Sequence, residues 1–120
     1  MGCRLALKFD IGDIETLNCC SYALAVTKGS SEYSLKVAKR VYEMGLEKTK
    51  GDFRANIRFR NGLWIGKLPF ILVADTWAWV LHVNGRSREA FKIIGKCYNL
   101  NLEHYYIPQH CNEIKKALNK

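Results

Sequence analysis

Proline occurs only at positions 69 and 108, and with so few breaks no inter-domain linker suggests itself. No segment repeats and none is of low complexity, which sets aside solenoids and arrays. The longest apolar run, Phe70 to Val83, is interrupted by Asp75, Thr76 and His82. It falls short of the roughly 20 residues a membrane helix needs, so no membrane partner is expected. A C-x-x-C knuckle, a G-x-S-x-G elbow, a P-loop and a Gly-rich phosphate cradle are all missing. Nothing therefore implies a cofactor. Met1-Gly2-Cys3 opens like an acylation signal, but Ala6 stands where that pattern requires Ser or Thr.

What is there fits one domain spanning residues 1–120, since 120 residues with 48% hydrophobic content can build one core and leave no room for a second. Five cysteines, an odd number, without a secretory leader pattern favour reduced thiols and an intracellular setting, in cytoplasm, nucleus or nucleoid. The net charge of +8 is unevenly placed. Residues 36 to 67 hold nine Lys or Arg against three Asp or Glu, and residues 86 to 120 hold seven against three. Such concentration allows a basic surface facing an acidic partner.

Residues 4 to 9 alternate as a first strand would, ending in a turn over Asp10 to Asp13. Leu17, Cys20 and Leu24 recur at helical spacing and predict a helix over about 13–27. Ser30 or Ser31 caps a second, over about 31–48, with Leu35, Ala38, Tyr42 and Gly45 on its apolar stripe. After Gly51 the period becomes two. Phe53, Ala55, Ile57 and Phe59 share one face and Arg54, Arg58 and Arg60 the other. With Asn61-Gly62 as a type I′ turn, the hairpin would pair Arg60 with Leu63, Phe59 with Trp64 and Arg58 with Ile65. Phe70–Ala74 and Trp77–Val83, rich in β-branched and aromatic residues, suit two central strands. One buried helix from Pro69 to Val83, closed by Asn84-Gly85, is the alternative that periodicity leaves open. A helix from Ser87 to about Tyr98, an edge strand over Leu102 to Ile107, and a last helix from Pro108 bearing Cys111, Ile114 and Leu118 complete the chain. The expected fold is thus α+β: a mainly antiparallel sheet of four or five strands with N-terminal and C-terminal helices packed on one face.

The hairpin carries the sharpest functional signal. Guanidinium groups two residues apart along a strand stand about 7 Å apart on one face, within reach of successive phosphates. Arg54, Arg58, Arg60 and Lys67 form the central patch of this expectation, with Lys36, Lys39 and Arg40 extending it. The segment FRANIRFRNGLWIGKL, Phe53 to Leu68, is similar to the middle strands of the three-stranded DNA-binding domain of plant ethylene-response factors and phage integrase arms. That resemblance implies nucleic-acid contact by the basic strand. In that family a polar, alanine-rich helix follows, whereas Pro69 to Val83 is apolar, so the likeness is one of hairpin physics rather than kinship.

The expected function is non-catalytic nucleic-acid binding through phosphates, with no base readout implied. The competing readings are a small viral or mobile-element accessory protein that occludes a host protein through an acidic surface, and a metal-dependent nuclease built on Asp10, Asp13 and Glu15. Cys97, His104, His110 and Cys111 are suitable zinc ligands by type, but their spacing matches no standard site. Trp64, Trp77, Trp79 and one of Tyr105 and Tyr106 are the aromatic candidates for base stacking.

Overall fold

A computed structural model of the protein describes residues 14–28, 32–61, 64–100 and 107–119. Five helices and one hairpin make up these residues: α1 (Ile14–Lys28), α2 (Glu32–Thr49), β1 (Asn56–Asn61), β2 (Trp64–Pro69), α3 (Phe70–Val83), α4 (Ser87–Asn99) and α5 (Ile107–Leu118). The expected α+β fold with four or five strands is overturned. The sheet among the described residues has two strands, and it packs against α2 and α3 at one end of a mainly helical core. The first expected strand lies outside the described residues, as do positions 102 to 106, while Ile107 opens α5.

The main correction concerns Phe70 to Val83, which is one helix and not two strands. Ten of its fourteen residues are buried, on every side. A helix enclosed all round has no polar face, so its sequence shows no helical period, and its β-branched and aromatic content mimics a central strand. Its ends explain the choice. Pro69, at φ −58 and ψ 126, leaves the strand extended and enters the helix with no turn between. The Phe70 N–H donates to the Ala55 carbonyl at 3.0 Å, so one of the four orphan amides of the first turn is satisfied by the hairpin. At the other end Gly85 takes φ 82, its N–H donates to His82 O at 3.0 Å, and the Arg86 N–H donates to Leu81 O at 2.9 Å. This pair of bonds is a Schellman cap, which needs a left-handed residue at Gly85.

The other helices follow their stripes. Ala90, Ile94 and Cys97 are buried on α4, and Ile107, Cys111 and Ile114 on α5, whereas Leu118 is exposed. On α2 the buried apolar residues are Val37, Ala38 and Val41, with Ser34 fully enclosed beside them. The core is strongly aromatic at the hairpin end. Tyr42 stacks on Phe70 with centroids 5.6 Å apart, and on Trp77 at 6.2 Å, while Phe53 meets Phe70 edge-on at 5.1 Å. Cys20 is disulfide-bonded, which corrects the expectation of reduced thiols throughout, while Cys97 and Cys111 are free.

Candidate functional site

The hairpin register runs from Asn56 opposite Pro69 to Asn61 opposite Trp64. Arg58 therefore faces Lys67, not Ile65, and Arg60 faces Ile65, not Leu63. The expected pairing was displaced by two residues along β2, because Asn61 belongs to the ladder and not to the turn. An even displacement preserves faces. Ile57 and Leu68, opposite one another, are both buried, and Arg58 and Lys67 are both exposed.

Directly opposed like charges on a sheet are destabilising. No Asp or Glu occurs between Phe53 and Ala74 to relieve them from within the hairpin. Arg54 is exposed on the turn before β1, where its N–H donates to the Asp52 carboxylate at 2.9 Å. The side chain of Arg60 lies outside the described set. Lys36, Lys39 and Arg40 are placed differently. Gly45 is the point of α2 that touches Ile57 and Phe70, and Lys36 precedes it by about two and a half helical turns, on the far side of α2. Lys39 and Arg40 share that far side. Lys36 and Lys39 are exposed, Arg40 half-buried, and Lys39 lies 3.9 Å from Glu43 in an exposed pair that contributes little. The structure thus brings Arg58 and Lys67 together and directs the α2 cations away from them.

A second constellation escaped sequence reasoning. Asp75, inside the buried α3, accepts a hydrogen bond from His110 Nδ1 at 2.8 Å, with both side chains almost wholly enclosed. His110 Nε2 lies 3.1 Å from the Tyr22 hydroxyl. Since the carboxylate can only accept, Nδ1 carries the proton and Nε2 takes the phenolic hydrogen. The Trp79 ring stacks on the imidazole, with centroids 4.3 Å apart at 24°, and fixes its plane. Above the group opens a cleft of about 510 Å³, walled by Tyr22, Val26, Trp79 and His110, with Gln109 and Asn112 beside them. Glu113 and Lys116, 3.5 Å apart, also line it and are exposed. The signals were present but faint: one acid in an apolar run, and one histidine on the buried stripe of α5.

His82, next to this cluster, donates or accepts with Ser87 Oγ at 2.8 Å. Partial burial pushes its imidazole below the ordinary value, against an opposing pull from Glu113, with nearby His110 adding to the fall. The Cys97 thiol is pushed up to about 12, first by burial and then by the Asp75 charge.

Of the suggested zinc ligands, Cys97 and Cys111 are core residues, His110 is committed to Asp75 and Tyr22, and His104 lies outside the described residues. Among the described residues no group of three His, Cys, Asp or Glu is placed to hold a metal ion. Asp10 and Asp13 lie outside the described residues, and Glu15 lies in the first turn of α1 with its side chain undescribed. Trp77 is buried in the core, while Tyr105, Tyr106 and the Trp64 side chain lie outside the description. No described helix is long and apolar enough to cross a membrane. No protein-family model, curated protein or solved structure matches this chain.

Proposed function

We propose that the protein binds nucleic acid non-catalytically through phosphate contacts made by the outer face of the hairpin. The observation that carries this reading is Arg58 set directly across from Lys67 on an exposed face, with Arg54 exposed on the turn before β1 and no acid in the hairpin. Two opposed cations weaken the isolated hairpin, and a polyanion laid across them turns that repulsion into binding energy. The free thiols of Cys97 and Cys111 fit the intracellular setting this function requires, the Cys20 disulfide being the exception.

The test is the salt dependence of binding to labelled single- and double-stranded DNA and RNA. Engagement of Arg54, Arg58, Arg60 and Lys67 predicts a slope of about −3 to −4 in log K against log salt on duplex DNA, or roughly a hundredfold loss between 50 and 200 mM. Arg58→Glu separates binding from folding. It places a carboxylate opposite Lys67, so it should stabilise the hairpin by about 0.2–1 kcal/mol while weakening nucleic-acid binding at least about tenfold. Binding indifferent to both salt and Arg58→Glu would overturn the proposal.

A further inference from the structure

The hydroxyl of Tyr22, the imidazole of His110 and the carboxylate of Asp75 stand in line, 3.1 Å and 2.8 Å apart, at the base of the cleft between α1, α3 and α5. This is the order of a nucleophile, a general base and an orienting acid, with a phenol in the position a serine takes in familiar triads. A phenol is a stronger acid than an aliphatic alcohol, so an imidazole removes its proton with less cost. Asp75 and Trp79 hold the ring from two directions, one by hydrogen bond and one by stacking, which leaves Nε2 aimed at Tyr22.

We infer that Tyr22 is an activated nucleophile and that the cleft is an acyl-transfer site for small activated esters. It rests on neither the hairpin nor its cations. The cleft volume of about 510 Å³ lies in the range of small-molecule sites, and its walls are mainly apolar. The side-chain amides of Gln109 and Asn112 line the same space and supply N–H donors for a carbonyl oxygen. In the reaction, Tyr22 Oη attacks the carbonyl carbon and its proton passes to His110 Nε2. The bond from that carbon to the leaving oxygen breaks, and the leaving alkoxide or phenoxide takes the proton from His110. The acyl group remains as an ester on Tyr22. Water then attacks the same carbon, giving its proton to His110, and Tyr22 departs reprotonated as the carboxylic acid is released. Asp75 acts through His110 and is a positioning residue.

The experiment treats the full chain with p-nitrophenyl acetate, following p-nitrophenolate release and locating acetyl groups by peptide mass spectrometry. Tyr22 should be acetylated about a hundredfold or more faster in the native protein than in urea, where the relay is lost. Tyr33 and Tyr98, both exposed, give the background rate for unactivated phenols. Tyr22→Phe should abolish the fast phase. Asp75→Asn should slow acetylation of Tyr22 and Asp75→Glu restore it in part, with the rates at Tyr33 and Tyr98 unchanged in both, a pattern a merely structural role would not give. Arg58→Glu should leave acetylation unchanged, so failure here and failure of the hairpin reading are separable. Acetylation of Tyr22 no faster than of Tyr33, or equally fast in urea, would overturn the inference. The wild-type comparison decides the matter even if Asp75→Asn fails to fold.

Discussion

At the scale of single residues, one position carries strain without evident need. Lys50 follows α2 at φ 56, in the left-handed region where a β-carbon costs roughly 1–2 kcal/mol. That conformation lets the Gly51 N–H reach the Leu46 carbonyl at 3.0 Å and so closes the helix, but the lysine side chain is exposed and the backbone alone makes the cap. Lys50→Gly should therefore stabilise the fold by about 0.5–1 kcal/mol after the entropy of the unfolded chain is counted, raising Tm by roughly 2 to 5 °C in a calorimetric scan. An unchanged or lower Tm would show that the lysine stem packs usefully where it lies. The candidate sites differ in how far single residues announced them. Arg58 and Lys67 were legible because strand alternation is a local property. Tyr22, Asp75 and His110 were not, because the hydrogen bonds joining them span 88 and 35 positions and no local pattern encodes such a meeting.

At the scale of elements, α3 shows how burial erases a signal. Ile71, Val73, Thr76 and Val80 favour strands by propensity, yet they form a helix because α1, α2, α4 and α5 all pack on it. The punctuation was the reliable part: Pro69 at one end and Asn84-Gly85 at the other fit a helix of fourteen residues better than two strands. The amphipathic α4 and α5 were legible because each keeps one wet face. At Gly45, α2 lies tightly against the hairpin and α3. A β-carbon on Gly45 would lie 2.6 and 2.7 Å from two ring carbons of Phe70 and 3.0 Å from Ile57 Cδ1. Phe70 is fully buried and held by Tyr42 and Phe53, so it has nowhere to move. Gly45→Ala should gain about 1 kcal/mol of helix propensity and lose about 1–3 kcal/mol to overpacking, for a net fall in the urea midpoint. Gly95→Ala in α4 is the control, because nothing lies within 4 Å of the new carbon, and it should raise the midpoint. The same substitution with opposite signs tests the packing directly; a rise for both would mean that α2 and Phe70 separate easily.

For the whole molecule, stability against pH is set by groups that folding shifts in opposite senses. His82 is pushed down, chiefly by burial, so the unfolded chain holds its proton more tightly. Its neutral form is favoured in the fold, and the stability this contributes is complete above about pH 6.5 and lost as pH falls from there toward the lowered folded value. Cys97 is pushed up to about 12 by burial and by the charge of Asp75. Its contribution is complete below the ordinary thiol range, about pH 8.5, and is lost as pH rises above it, because only the unfolded chain ionises there. Tyr42, raised by burial and then by Cys97, extends the same loss above about pH 10. On the acid side the net charge of +8 acts in the same direction as His82, since each carboxylate that protonates adds to self-repulsion. Urea midpoints measured from pH 5 to 10 should therefore form a plateau between about 6.5 and 8.5 with a fall on either side. Cys97→Ala lowers the plateau by opening a small cavity in the core, yet it should remove most of the alkaline fall below about pH 10, because the loss from Tyr42 begins only above that. An alkaline limb as steep in Cys97→Ala as in the wild type would mean that the burial of this thiol does not govern the loss.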